Sequence, residues 1–129
     1  MNLNDMECTI LDEALSQLLT VLQESAPQMD LTTRELMLAN LNAVRSARQK
    51  LKHFSGGTQK FSLPELKVMY AALESLKEDT DDYLAQSPLT DPNRNTALDT
   101  QRSCNQLLRN FIGLFAQEGI DIRKTMDIF

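Results

Sequence analysis

A chain of 129 residues is one domain's worth of sequence, and it can bury roughly two-thirds of its unfolded surface with no disulfide or metal to staple it. A net charge of −5 argues against nucleic acid or an anionic membrane as the main partner. Apolar residues make up 42% of the chain but aromatic ones only 5%, with no tryptophan, so the core has to be mostly aliphatic.

The first element is announced by Leu3-Asn4-Asp5-Met6-Glu7-Cys8. An apolar residue, a capping residue, two free positions, a glutamate and a second apolar residue form a capping box inside a hydrophobic staple. Behind it Leu11, Leu15, Leu18 and Leu22 step 4-3-4, while Glu13, Gln17, Thr20 and Glu24 take the other face. This predicts a helix over 5–25.

The cassette recurs at Leu31-Thr32-Thr33-Arg34-Glu35-Leu36, with Thr32 in the capping position. Met37, Leu41, Val44, Ala47 and Leu51 continue the stripe, which predicts a second helix over 33–55, stopped by Gly56-Gly57. A third copy, Phe61-Ser62-Leu63-Pro64-Glu65-Leu66, opens a helix over 63–86 with a heptad-like seam of Leu66, Met69, Leu73, Leu76, Thr80 and Tyr83. The fourth start is Thr90-Asp91-Pro92, with Pro92 placed in the first turn, where its missing N–H has no partner anyway. Leu98, Leu107, Leu108, Phe111, Ile112, Leu114 and Phe115 give that helix a wide apolar face over 92–118, and Gly119 stops it.

All four prolines fall at these boundaries, and no run of strand period appears. Rods of matched length joined by short loops pack as antiparallel neighbours. The expectation is an all-α, up-down-up-down antiparallel four-helix bundle, one domain over 1–129, with a short helical or extended tail after Gly119. The opening Met1-Asn2-Leu3-Asn4-Asp5 does not read as a secretory signal, and no apolar run approaches the ~18 residues of a spanning helix. Two cysteines, Cys8 and Cys104, make neither a disulfide framework nor a zinc spacing, so a cytoplasmic location is expected.

Charge is segregated along the chain. Residues 1–35 hold seven acids and one base, 36–64 hold five bases and no acid, and 65–91 hold seven acids and two bases. In an up-down bundle the basic end of the second helix meets Asp5, Glu7, Asp12 and Glu13, and the acidic end of the third meets Arg34 and Arg94. Exposed pairs contribute only ~0–1 kcal/mol each, so this pattern selects register more than it stabilises. Arg45, Arg48, Lys50 and Lys52 are also candidate partner contacts, although a solvated helix end whose cations complement the dipole explains them as well. Glu78, Asp79, Asp81 and Asp82 oppose the dipole of their helix. They are expected either to pair with Arg94 and Arg102 or to contact a basic partner. Asp79-Thr80-Asp81-Asp82-Tyr83 lacks the glycine and terminal glutamate of a calcium loop.

Catalytic constellations are thin. His53 is the single histidine, which excludes a di-iron bundle site within one chain. Glu78-x-x-Asp81 resembles the second half of the magnesium motif of all-helical nucleotide pyrophosphohydrolases, without the Glu-x-x-Glu that precedes it there. Lys52-His53-Phe54-Ser55-Gly56-Gly57 resembles the histidine phosphotransfer domains in Gly57 but has Gly56 where their lysine stands. That resemblance implies a phosphorylated His53. No metal, nucleotide or other cofactor is expected, and Cys8 and Cys104 read as packing thiols.

Gly113, inside an apolar stripe, is expected to allow close helix packing. In the tail, Ile122, Met126 and Phe129 share one helical face, suited either to cap the bundle or to anchor a partner. The reading is therefore a non-catalytic protein–protein interaction module, a small acidic adaptor, regulator or chaperone-like protein that is monomeric or homodimeric. Histidine phosphotransfer through His53 is the alternative, and nucleic-acid binding through the basic end of the second helix is the third.

Overall fold

A computed structural model describes residues 3–25, 30–52 and 60–117. Among these, the chain forms α1 (Asp5–Ser25), α2 (Leu31–Lys52), α3 (Leu63–Gln86) and α4 (Arg94–Gln117), with no strand. Their packing is that of a four-helix bundle.

Two of the three cassettes work as capping boxes. Glu7 N–H donates to Asn4 Oδ1 at 2.8 Å, and Asn4 N–H donates to Glu7 Oε1 at 3.1 Å. Glu65 N–H donates to Ser62 Oγ at 3.3 Å, and Ser62 N–H donates to Glu65 Oε1 at 2.7 Å. Each pair satisfies two donors at a helix start. The staple residues are covered too: Leu3 is buried, and Cys8, Phe61 and Leu66 pack half-buried against the core.

The second cassette behaves differently. Asp30 rather than Thr32 caps α2, accepting from Thr33 N–H at 2.7 Å, and the helix begins two residues early, at Leu31. A carboxylate is a better cap than a threonine hydroxyl, and it also places its charge on the positive end of the dipole. No staple forms, because Leu31 and Leu36 are exposed. The α4 start also moves, from 92 to Arg94. Asp91 Oδ1 accepts from Asn93 N–H at 2.9 Å and Asp91 O from Arg94 N–H at 3.2 Å, so Pro92 sits in a turn before the helix rather than in its first turn. The expected ends at 55 and 118 lie outside the described residues.

The stripes read from the sequence face the core, except that Leu98 and Leu114 of α4 are only half-buried and lie outside it. Leu11, Leu15, Leu18 and Leu22 are buried, as are Met37, Leu41, Val44, Ala47 and Leu51. The seam of α3 holds through Met69, Leu73, Leu76 and Thr80 but ends there, since Tyr83 is exposed and its hydroxyl donates to Asp91 at 2.6 Å. Helix α3 also buries Val68, Tyr70, Ala71 and Ala72 beside its seam. The cause is position: α3 packs on all three other helices. Helix α1 packs on α3 and α2 but only lightly on α4, and α2 and α4 are not close neighbours. The bundle is thus flattened along the α1–α3 diagonal.

Polar contacts tie particular ends together. Arg48, late in α2, reaches Asp12, early in α1. Lys50 and Ser46 reach Glu65 at the start of α3. Gln101, in the first half of α4, reaches Asp81 in the last third of α3. No helix of the described residues is long and apolar enough to cross a membrane.

Candidate interaction surfaces

The basic end of α2 is only half available. Arg48 Nε donates to Asp12 Oδ1 at 3.0 Å, the match of basic and acidic blocks expected from charge order. Lys50 Nζ donates to Glu65 Oε1 at 2.7 Å and to the Lys60 carbonyl at 3.1 Å, and it stands 5.8 Å from the Phe61 ring centroid. Arg45 and Lys52 stay exposed, with no ion pair to any described residue.

Glu65 is the residue whose importance the sequence understated. It is only 2% exposed, and its second oxygen accepts from Ser46 Oγ at 2.5 Å. Burial pushes its carboxyl up, but hydrogen bonds from Lys50, Ser46 and Ser62 outweigh that and hold it down at about 2, against an ordinary 4.5. The capping glutamate of α3 is therefore also a knot between the end of α2 and the start of α3. A lysine one helix earlier in an up-down order is the only signal that could have found it.

The acidic end of α3 does not pair as expected. Asp81 accepts from Lys77 Nζ at 2.7 Å within its own helix and from Gln101 Nε2 at 2.5 Å, and both bonds lower its pKa. Arg102 instead stands 3.9 Å from Asp99. Arg94 donates to the carbonyls of Leu84 at 2.9 Å and Ser87 at 3.4 Å. It thus offsets the negative end of the dipole directly, which is why α3 runs on to Gln86 despite its carboxylates. Glu78, Asp79 and Asp82 remain exposed without ion pairs among the described residues.

Where α1 meets α3 and α4, the surface opens into a cleft of about 470 Å³. Glu13 and Gln17 come from α1, Asp79, Thr80 and Tyr83 from α3, and Thr96 and Thr100 from α4, over Leu76 and Ala97. The cleft follows from composition. The first half of α4 offers Thr96, Ala97 and Thr100 to α1, which are too small or too polar to fill the space, whereas its second half supplies Leu107, Phe111 and Phe115. Leu89, at 86% the most exposed of the large apolar residues described, stands on the loop joining the α3 and α4 walls. Leu31, 71% exposed, and Leu38, 51% exposed, share an outward stripe of α2.

Both thiols are free. Burial, reinforced by the charges of Glu13 and Asp81 and opposed by Lys77, pushes Cys104 up to about 11. Half-buried Cys8 is also raised, by burial and then by Asp5 and Glu7. Neither is an activated nucleophile. Among the described residues no three His, Cys, Asp or Glu side chains are grouped to hold a metal.

A second groove of about 390 Å³ runs between Leu3 and the end of α4, past Phe111, Gly113 and Leu114. Gly113 does not serve close packing: a Cβ built there meets no described atom within 4 Å. Gly113→Ala is expected to raise stability by about 0.5–1 kcal/mol in urea unfolding, and a loss instead would mean that the site is occupied in solution. His53 and the tail residues Ile122, Met126 and Phe129 lie outside the described residues. In comparisons with known proteins, no family model, curated protein or solved structure matches the chain.

Proposed function

We propose that the chain is a non-catalytic interaction module that docks another protein through the α3–α4 loop and the adjoining cleft. The observation that supports this best is the near-complete exposure of Leu89 on the loop between α3 and α4, two helices that wall a cleft lined by the unpaired carboxylates of Glu13 and Asp79. Scattered exposed leucines are ordinary. An exposed leucine on a loop joining two charged helix ends has the layout of an interface anchor, with apolar contact for affinity and charge for selection. Two free thiols of raised pKa fit a reducing compartment such as the cytoplasm.

The test compares immobilised full-length chain with its Leu89→Asp variant, capturing from the native host. A partner that binds the parent and is weakened roughly tenfold or more by the variant, with circular dichroism and melting unchanged, supports the assignment. A partner that binds both equally removes the α3–α4 loop from the interface. A chain that captures nothing and elutes as an inert monomer removes the module reading itself.

A further inference from the structure

We propose that the segment 118–129 folds back on α4 and lays Ile122, Met126 and Phe129 in the groove between Leu3 and the end of that helix. The inference is independent of the docking role of the α3–α4 loop, which lies before the start of α4. The groove, about 390 Å³, falls within the range of true binding sites. One wall is apolar, made by Leu3, Leu107, Phe111 and Leu114. Of these, Leu114 is half-buried and lies outside the core. Gly113 follows Arg109 and Asn110 by four and three residues, so it shares their polar edge and stays open to a methyl group.

The occupant is fixed by what continues from Gln117, itself a lining residue. Gly119 stands two residues past the last turn of α4, where a glycine ends a helix and turns the chain. Beyond it, Ile122, Met126 and Phe129 recur at helical spacing. A helical return over 120–129 rises roughly 15 Å, which carries it past Leu114 and Phe111 to the level of Arg109. Arg109 is the single charged residue lining the groove, and it makes no ion pair with any described residue. The segment brings Glu118, Asp121 and Asp127, so charge is complementary, and an exposed pair of this kind selects orientation more than it binds. Tethering decides between occupants. A segment that starts beside the groove meets it at an effective concentration of millimolar order, which a second copy or a separate partner has to outcompete. The exposed Leu31 and Leu38 are a poorer seat, because they lie on α2, which is not a close neighbour of α4.

The test is methyl NOE spectroscopy and amide exchange on the isotope-labelled full-length chain. NOEs from Ile122 and Met126 to Leu3 and Leu114 are expected, unchanged on dilution. Met126→Asp in the segment and Leu114→Glu in the groove should each remove them and speed amide exchange over 120–129 at least about tenfold. Lys124→Asp, in the same segment but off the face of the three apolar residues, should change that exchange less than about twofold. If Leu114→Glu disturbs the bundle, Met126→Asp, which alters no described residue, carries the test. Absent NOEs, unprotected exchange over 120–129 in the parent, or equal release by Lys124→Asp would overturn the inference. NOEs that fade on dilution would overturn it in favour of a second copy. None of these outcomes bears on capture through Leu89.

Discussion

Replacing Phe111 by alanine is expected to cost about 3–5 kcal/mol in urea unfolding at neutral pH. Phe111 is fully buried, and with Phe115 and Tyr70 it is among the largest side chains of the core. Domains of this size are stable by only ~5–15 kcal/mol in total, so the variant should sit close to its unfolding threshold. The second half of α4 would then be the part of that helix that anchors it. A cost near ~1 kcal/mol would mean that this half is not packed in solution.

The second large effect belongs to Glu65. Glu65→Ala removes the acceptor for Lys50, Ser46 and Ser62 together, and a loss of about 2–4 kcal/mol is expected at pH 7. Its sign with pH is fixed by the depressed pKa. The folded carboxyl titrates at about 2 and the unfolded one near 4.5, so the unfolded chain takes up the proton first as pH falls. The contribution is therefore fully present above about pH 5 and is lost on going down towards pH 2. The shift corresponds to about 3 kcal/mol. Urea unfolding of parent and Glu65→Gln at pH 7 and pH 2.5 should show the gap between them shrinking by most of that amount. A gap that is the same at both pH values would show that Lys50 does not hold the carboxylate in solution.

Local chemistry was what the sequence made legible. Asn4 with Glu7 and Ser62 with Glu65 are reciprocal pairs three residues apart, so nothing beyond the chain segment was needed to predict them. The four apolar stripes were equally plain, because period alone decides which face is buried. What failed depended on competition or on neighbours. Thr32 lost the cap to Asp30 because a better acceptor lay two residues earlier. Tyr83 left its seam because Asp91, eight residues on, offered its hydroxyl a partner at the surface. Gly113 seemed a packing device because a glycine in an apolar stripe looks the same whether a helix or open space lies above it. The proposed interaction surface was legible in part: Asp79 stood out in the acidic run, but Glu13 read as mere outer face and Leu89 as loop. The cleft joins three helices and exists because α4 is thin where α1 passes, which is a property of packing and not of any one segment.

Hydrogen–deuterium exchange of the full-length chain, alone and with the protein it captures, tests the central claim most directly. Protection on binding is expected across residues 76–100, spanning the end of α3, the loop with Leu89 and the start of α4, together with the α1 turn that carries Glu13. Protection confined instead to the Glu65 end of the bundle, or none anywhere, would contradict it.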